Sequence, residues 1–212
     1  MRLVLFGATG KLGQAVLSAA LARGHTVVAI VRTLASVSLV HERLELIQAN
    51  VTDHRTYAAA LAGADAVLGT LGTRGAPKHP VTLCTDWARE LLLAMAEHRI
   101  RRVLAVTAGA YVKSKDSPLL FRFAVQPVIL RVLRHTYADL QQMEAVLAQS
   151  STEWTVVRPA RLTDGARTGR ARVTVEGAVP GGWIVSRADV AELMLESVER
   201  RMHVGERVAI AE

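Results

Sequence analysis

A glycine-rich turn between an apolar run and a helix-like segment constrains this chain more than any other feature. Residues 3–6 form the run, Gly7-Ala8-Thr9-Gly10-Lys11-Leu12-Gly13 forms the turn, and residues 14–22 are typical of a helix. In such a strand–turn–helix unit the first glycine permits a tight turn, the second lets backbone approach a diphosphate, and the third allows close helix packing. The helix N-terminus offers unpaired N–H groups and a partial positive charge. We therefore expect the turn to bind the diphosphate of a dinucleotide. A Walker phosphate loop is not expected, because no Gly-Lys-Ser/Thr follows the glycines at the required spacing.

The residue after the second predicted strand indicates which dinucleotide binds. Residues 25–31 are dominated by β-branched and apolar side chains and predict a strand, which ends at Arg32. An acidic residue here would accept a hydrogen bond from the ribose 2′-hydroxyl of NAD, whereas a guanidinium can pair with the 2′-phosphate of NADP. The sequence therefore predicts NADP(H) in preference to NAD(H), the alternative being a solvated surface arginine.

Composition limits the remaining possibilities. The 212 residues are half hydrophobic, which predicts one globular domain over residues 1–212. No apolar stretch has membrane-spanning length, no cleavable leader is recognisable and Cys84 is the single cysteine, so we expect a cytoplasmic protein. The histidines are dispersed, and we expect no metal site.

The net charge of +7 fits an anionic small molecule better than nucleic acid, because the basic residues are scattered and aromatic residues are few. We therefore expect a small-molecule acceptor as the partner. We expect no nucleic acid or membrane partner, and we expect a monomer or a homodimer.

Strand-like and helix-like segments alternate along the chain, which predicts an α/β fold of Rossmann type: a doubly wound parallel sheet with helices on both faces. The predicted strands are 3–6, 25–31, 44–49, 64–70, 102–107, 154–158, 172–175 and 207–210, and the predicted helices after the first are 54–61, 81–98, 119–134, 137–149 and 187–199. Ser186 is the expected N-cap of the last helix. Ligands of such sheets bind beyond the carboxyl ends of the strands, and we expect residues from about 159 to 212 to cover the substrate.

The loops at these strand ends resemble those of the atypical short-chain dehydrogenase/reductases, in the NAD(P)H-binding group that includes biliverdin-IXβ/flavin reductases and NmrA-like proteins. The resemblance extends over nearly the whole chain and rests on the glycine turn, Val31-Arg32, Asn50-Val51, Leu71-Gly72-Thr73-Arg74, Trp154-Thr155-Val156-Val157-Arg158-Pro159, Leu162-Thr163-Asp164-Gly165 and 184–191. It implies a cofactor site that comprises Gly7, Thr9, Gly10, Lys11, Leu12, Gly13, Arg32, Asn50, Val51, Leu71, Gly72, Arg74, Thr107, Ala108 and Pro159.

The catalytic positions of the resembled reductases differ here. Thr107-Ala108 stands where those reductases carry Thr-Ser, and Arg161 stands where they carry a histidine, so we expect Arg161 to contact substrate. Both differences argue against bilin reduction, whereas a flavin or quinone needs less help because its ring is already electron-poor.

Standard members of the family use a Tyr-x-x-x-Lys pair as the acid/base group. Tyr111 and Lys115 have that spacing and are the candidate catalytic residues, with Tyr111 also a candidate for substrate binding. The pair follows the fifth strand earlier than usual, and a substrate-loop tyrosine beside a solvated lysine is the alternative. Tyr137 lies on the better-placed helix, but Gln141 occupies its lysine position.

The leading hypothesis is an NADPH-dependent oxidoreductase that acts on a planar, electron-poor acceptor such as a flavin or quinone. A non-catalytic NADP(H) sensor of the NmrA-like type is the main alternative, and the lack of a well-placed acid/base pair favours it. A nucleotide-sugar epimerase or dehydratase ranks last, because that chemistry needs a larger C-terminal substrate domain.

Overall fold

A computed structural model describes residues 1–73, 75–111 and 126–212. The described residues form ten strands: β1 (Arg2–Phe6), β2 (Thr26–Val31), β3 (Leu44–Gln48), β4 (Ala66–Gly69), β5 (Arg102–Val106), β6 (Glu153–Pro159), β7 (Arg161–Thr163), β8 (Arg172–Val175), β9 (Ile184–Ser186) and β10 (Glu206–Ala211). Their helices are α1 (Lys11–Ala22), α2 (Leu83–Glu97), α3 (Gln126–Val132), α4 (Arg134–Ala148) and α5 (Arg187–Glu199).

The main sheet has the order β3-β2-β1-β4-β5-β6-β10-β8, and every neighbouring pair is parallel except β10 with β8. This is the predicted Rossmann-type fold in a single domain, and the fold prediction is confirmed. The order reverses between β1 and β4, so the carboxyl ends of those strands form the switch point where ligands of such sheets bind. The division of the domain near residue 159 stays a prediction.

The period-two alternation of the central strands builds two separate apolar layers. Leu3 and Leu5 of β1 face the layer that contains α1 and α5, whereas Val4 and Phe6 face the layer that contains α2 and α4. Each layer is fully buried, as expected for a parallel sheet with helices on both faces.

A buried carboxylate fixes the start of α2 against α4. Asp139 on α4 accepts hydrogen bonds from the backbone N–H groups of Cys84 and Thr85, both at 2.9 Å, and from the Thr85 hydroxyl at 2.7 Å. It therefore satisfies N–H groups of the first helical turn that have no partner within the helix.

A buried arginine fixes the opposite end of the sheet. The Arg102 guanidinium donates to the carbonyls of Glu153, Ser197 and Met202 and to the Thr155 hydroxyl. Burial lowers the pKa of Arg102 to about 10. The side chain ties the C-terminus of α5 to the amino ends of β5 and β6.

The structure differs from the sequence-based prediction at several elements. The predicted helix 54–61 is a pair of short 3-10 turns, His54–Thr56 and Ala58–Leu61, in the short connection to β4. The strand at residues 172–175 exists but runs antiparallel at the sheet edge. The two-stranded parallel sheet of β7 and β9 was not predicted, because three-residue strands show no periodicity. Ser186 is the N-cap of α5, as predicted, and its hydroxyl accepts from the Asp189 N–H.

Candidate active site

The turn after β1 has two glycines that the fold itself requires. Gly7 has a φ of +84°, and a Cβ there would lie 2.7 Å from the Thr70 carbonyl oxygen. A Cβ on Gly13 would lie 2.1 Å from the Gly7 carbonyl oxygen. Neither position can carry a side chain without backbone movement, so these glycines allow the strand, turn and helix to pack closely.

Gly10 differs, because the fold leaves room for a side chain there. It is the N-cap of α1, with a φ of −79° and a ψ of 155° that any residue can adopt. A Cβ on Gly10 would meet nothing closer than the Gly7 carbonyl oxygen, at 3.4 Å. No side chain caps the helix at this position. The open space and the first-turn N–H groups together suit an anion such as a diphosphate.

The other predicted residues of the turn divide by burial. Thr9 is half-buried and Lys11 is exposed, whereas Leu12 is buried in the layer formed with α5. The Lys11 ammonium, which donates to Asp164 at 2.7 Å, remains accessible to a ligand, while Leu12 can offer its backbone N–H alone.

The residues predicted to bind the adenosine half of the cofactor lie beside each other at the carboxyl ends of β2 and β3, since Val31 pairs with Gln48 in parallel register. Arg32 is exposed, and within the described chain its guanidinium has no carboxylate or hydrogen-bond partner. Asn50 is exposed and its side-chain oxygen accepts from Thr52, while Val51 is buried against the layer of α2. Among the described residues, this edge therefore offers the unpaired guanidinium of Arg32 beside the exposed Asn50.

The loop after β4 borders the turn on its other side. Thr70 donates twice to the Phe6 carbonyl, from its hydroxyl at 3.0 Å and from its backbone N–H at 2.9 Å, which fixes the loop on β1. Leu71 packs against the α2 layer, and nothing lies near a Cβ built on the exposed Gly72. Arg74 lies outside the described residues.

A cavity of about 870 Å³ lies at the carboxyl ends of β5, β6 and β10. Four of the predicted site residues line it, namely Thr107, Ala108, Pro159 and Arg161. Its other described lining residues are Gly109, Ala110, Gln126, Ile129, Tyr137, Arg158, Ala160, Leu162, Ala178, Val179, Gly181, Gly182, Trp183, Ile184, Arg187, Ala209 and Ile210. The size suits a small planar molecule, and the wall is mainly apolar, as is usual for such sites.

A buried charge network holds the back of this cavity. Glu144 on α4 accepts from the Thr107 hydroxyl at 2.8 Å and from the Arg158 guanidinium in a bidentate pair. Arg207 adds a contact at 3.3 Å. Because the Thr107 proton is directed to Glu144, the hydroxyl oxygen faces other groups as an acceptor. Sequence reasoning missed Glu144, although a glutamate in the buried helical stripe of Tyr137, Leu140 and Leu147 is a detectable signal.

A carboxylate joins the glycine turn to the cavity. Asp164 accepts from Lys11 Nζ at 2.7 Å and from the Arg187 guanidinium at 2.5 Å. The bond from Lys11 and the charge of Arg187 lower the pKa of Asp164. Since Lys11 belongs to the turn and Arg187 lines the cavity, the turn and the cavity are parts of one continuous edge.

The loop that follows Asp164 is fixed by a second, buried carboxylate. Asp189 of α5 accepts from the backbone N–H groups of Thr168 and Gly169, each at 3.0 Å, and from the Ser186 hydroxyl at 2.6 Å. Burial raises the pKa of Asp189, but these hydrogen bonds outweigh it and the net pKa is lowered. The ionised carboxylate therefore stabilises the loop beside the cavity.

Of the two tyrosines considered from the sequence, Tyr137 lies in the cavity wall. Tyr137 is buried and lines the cavity, and burial raises its pKa, whereas Gln141 is exposed. Tyr111 ends the 3-10 turn Gly109–Tyr111 that follows β5. Lys115 lies outside the described residues, so the predicted Tyr111/Lys115 pair stays a prediction.

One cluster of possible metal ligands occurs among the described residues, away from the cavity. Asp53, His54 and Glu90 have ligand atoms within 4.8 Å of one another. Glu90 accepts from the His54 ring at 2.6 Å, and Asp53 accepts from the Arg55 guanidinium at 2.8 Å. These bonds already pair the three side chains as an ion-pair network between the 3-10 turn and α2.

Comparisons with known proteins show the family and the fold of the chain. The family described as NAD(P)H-binding matches residues 7–201. YwnB of Bacillus subtilis (strain 168), an uncharacterized protein, is 27% identical over 222 residues, which cover 99% of this chain and 98% of YwnB.

Among solved structures, the fold is similar to that of a wide-type short-chain dehydrogenase/reductase from Veillonella parvula DSM 2008 in complex with NADP. That structure has a TM-score of 0.78 and 17% identity, and the match covers 100% of this chain and 94% of the other. ChuY, an anaerobillin reductase from Escherichia coli O157:H7, gives a TM-score of 0.78 and 23% identity over 100% of this chain and 97% of ChuY.

No helix in the described part of the chain is both long and apolar enough to cross a membrane.

Proposed function

Because the chain belongs to the NAD(P)H-binding family, we propose that it is an NADPH-dependent oxidoreductase that reduces a planar, electron-poor acceptor such as a flavin or quinone. One observation carries the proposal: the open space at Gly10, in front of the first-turn N–H groups of α1, is joined by the Lys11–Asp164–Arg187 bridge to an apolar cavity of about 870 Å³. When bound, NADPH supplies a hydride, so that the acceptor gains the hydride and a proton and NADP⁺ remains.

Arg32 supports NADPH over NADH as the cofactor. Its guanidinium is exposed at the end of β2, beside Asn50, and has no acidic partner among the described residues. A 2′-phosphate would supply that partner through charge-assisted hydrogen bonds. The Veillonella parvula structure, which shares the fold, was obtained with NADP.

The cavity wall supports an acceptor that needs no strong acid from the protein. Among its described lining residues, Tyr137 and three arginines are the ionisable groups, and burial raises the pKa of Tyr137. The Thr107 proton is directed to Glu144. A flavin or quinone ring stabilises the added charge itself and can take its proton from water after the hydride has arrived, so positioning of the two rings is the contribution required of the protein.

The experiment that tests this proposal measures NADPH oxidation, at the nicotinamide absorbance, with flavins, quinones and bilins as acceptors. We expect turnover with flavins or quinones and little with bilins. Turnover with NADH as fast as with NADPH would contradict the cofactor assignment, and turnover with bilins alone would contradict the acceptor assignment.

A non-catalytic NADP(H) sensor is the second candidate, favoured by the exposed Gln141 at the position where a catalytic lysine would follow Tyr137. A sensor needs the Gly10 opening and Arg32 but no acceptor. Tight NADPH binding without oxidation by any acceptor in the panel would support the sensor over the enzyme.

A further inference from the structure

The charges on the cavity wall have a single sign. Arg158, Arg161 and Arg187 line the cavity, and its described lining includes no aspartate or glutamate. An acceptor that enters this cavity therefore meets positive charge wherever it meets charge.

Carboxylates neutralise two of these arginines. Arg158 forms a bidentate pair with the buried Glu144, and Arg187 donates to Asp164 at 2.5 Å. Arg161 is different, because within the described chain its guanidinium has neither a carboxylate nor a hydrogen-bond partner. Its backbone N–H donates to the Trp183 carbonyl at 3.1 Å, which fixes the start of the side chain but leaves the charge unpaired.

The surroundings of Arg161 are apolar. In the β7–β9 pair, Arg161 is opposite Ile184, and both line the cavity with Trp183 and Val179. Trp183 and Ile184 are 36% and 43% exposed, so a ligand could cover both of these large side chains. A guanidinium beside such a surface matches a flat ring with a negatively charged substituent, because the ring covers the apolar wall and the anion pairs with the cation.

We propose that the acceptor carries an anionic substituent, a phosphate or a carboxylate, and that Arg161 recognises it. This inference rests on the proposed reductase function and specifies its substrate class. Neutral acceptors with the same ring can still enter the cavity, but they leave the Arg161 charge without a partner.

Matched flavins test the proposal, because they share one ring system and nearly one reduction potential. FMN is compared with riboflavin, and an N10-carboxymethyl flavin with lumiflavin, at saturating NADPH. We expect kcat/KM to be about tenfold higher for each anionic flavin, the lower end of the range for a charge-assisted contact at an exposed arginine. If the first pair alone shows the preference, the anion is a phosphate; if the second alone shows it, the anion is a carboxylate.

Arg161→Gln should bring both ratios close to one, whereas Arg200→Gln, at the exposed C-cap residue that follows α5, should leave them high. The affinity of NADPH for Arg161→Gln is measured in parallel by fluorescence titration.

Equal kcat/KM within both flavin pairs in the unmodified protein would overturn the inference while leaving the reductase function intact. A tenfold loss of NADPH affinity in Arg161→Gln would also overturn it, since Arg161 would then bind the cofactor. Absence of turnover with every flavin and quinone would instead contradict the proposed function. In that case the affinities of FMN and riboflavin for the NADP⁺ complex test the role of Arg161, and equal affinities would overturn the inference.

Discussion

Substitution of Gly10 separates cofactor binding from folding, because the structure requires glycine at positions 7 and 13 but not at position 10. A Cβ on Gly10 meets nothing within 3.4 Å, and its backbone angles are open to valine. Loss of a favourable N-cap residue costs about 0.5–1 kcal/mol, which the lower chain entropy of the unfolded state partly offsets. We therefore expect Gly10→Val to change the free energy of unfolding by less than about 1 kcal/mol.

The same substitution should weaken cofactor binding strongly. The valine methyl groups would occupy the space in front of the first-turn N–H groups of α1. If two of these groups bind the diphosphate at about 1.5 kcal/mol each, their loss weakens NADPH binding by about 3 kcal/mol, which is on the order of a hundredfold.

Fluorescence titration with NADPH and thermal unfolding without ligand measure the two effects independently. Gly10→Ala should show a smaller loss of affinity, because its single methyl fills less of the opening. Gly13→Ala is the opposite control: its Cβ would lie 2.1 Å from the Gly7 carbonyl oxygen, so it should lower the melting temperature before any ligand is added. Wild-type NADPH affinity in a folded Gly10→Val protein would refute the assignment of the turn as the diphosphate site.

Three further predictions follow from particular side chains. Arg32→Gln should remove most of the difference in affinity between NADPH and NADH, a difference of about 1.5–3 kcal/mol for a charge-assisted contact. Calorimetric titration with both cofactors measures this difference, and equal affinities in the unmodified protein would contradict the assignment of Arg32 to the 2′-phosphate. Asp139→Ala should lower the free energy of unfolding by about 3 kcal/mol, since it leaves two first-turn N–H groups of α2 and the Thr85 hydroxyl without their acceptor; a urea titration that gives a loss under about 1 kcal/mol would contradict that role. Because the pKa of Asp189 is lowered, its ionised form stabilises the fold above the unfolded-state pKa of about 3.9, and this contribution is lost as pH falls through the folded-state pKa. Asp189→Asn should therefore destabilise the protein at pH 7 but progressively less below about pH 4. A difference in the free energy of unfolding that does not change with pH would contradict this role.

The hydroxyl groups of the tyrosines provide a last test of the chemistry. If the acceptor takes its proton from water, Tyr111→Phe and Tyr137→Phe should each lower kcat far less than the 10²–10⁴-fold typical of a lost general acid. Steady-state rates with a flavin decide the matter, and a loss of that size in either variant would identify that tyrosine as the acid.

Local features of the sequence determined the architecture and the proposed cofactor edge. The turn at Gly7–Gly13, the individual strands and the Ser186 N-cap are each marked by residue type and spacing within a short segment, and such signals can be read from the sequence. The strand-end positions of Arg32, Asn50 and Thr107 follow in turn, because parallel strands bring their carboxyl ends to one edge of the sheet.

The cavity, by contrast, depends on contacts between residues that are distant in the chain. Glu144 reaches Thr107 from another element, Asp164 joins Lys11 to Arg187, and the β7–β9 pair arises from segments about twenty residues apart. Neither propensity nor spacing specifies which distant charges meet, because the pairing is set by how the helices and loops pack on the finished sheet. Tertiary structure alone therefore decided that the Arg158 and Arg187 charges are neutralised while that of Arg161 has no partner among the described residues.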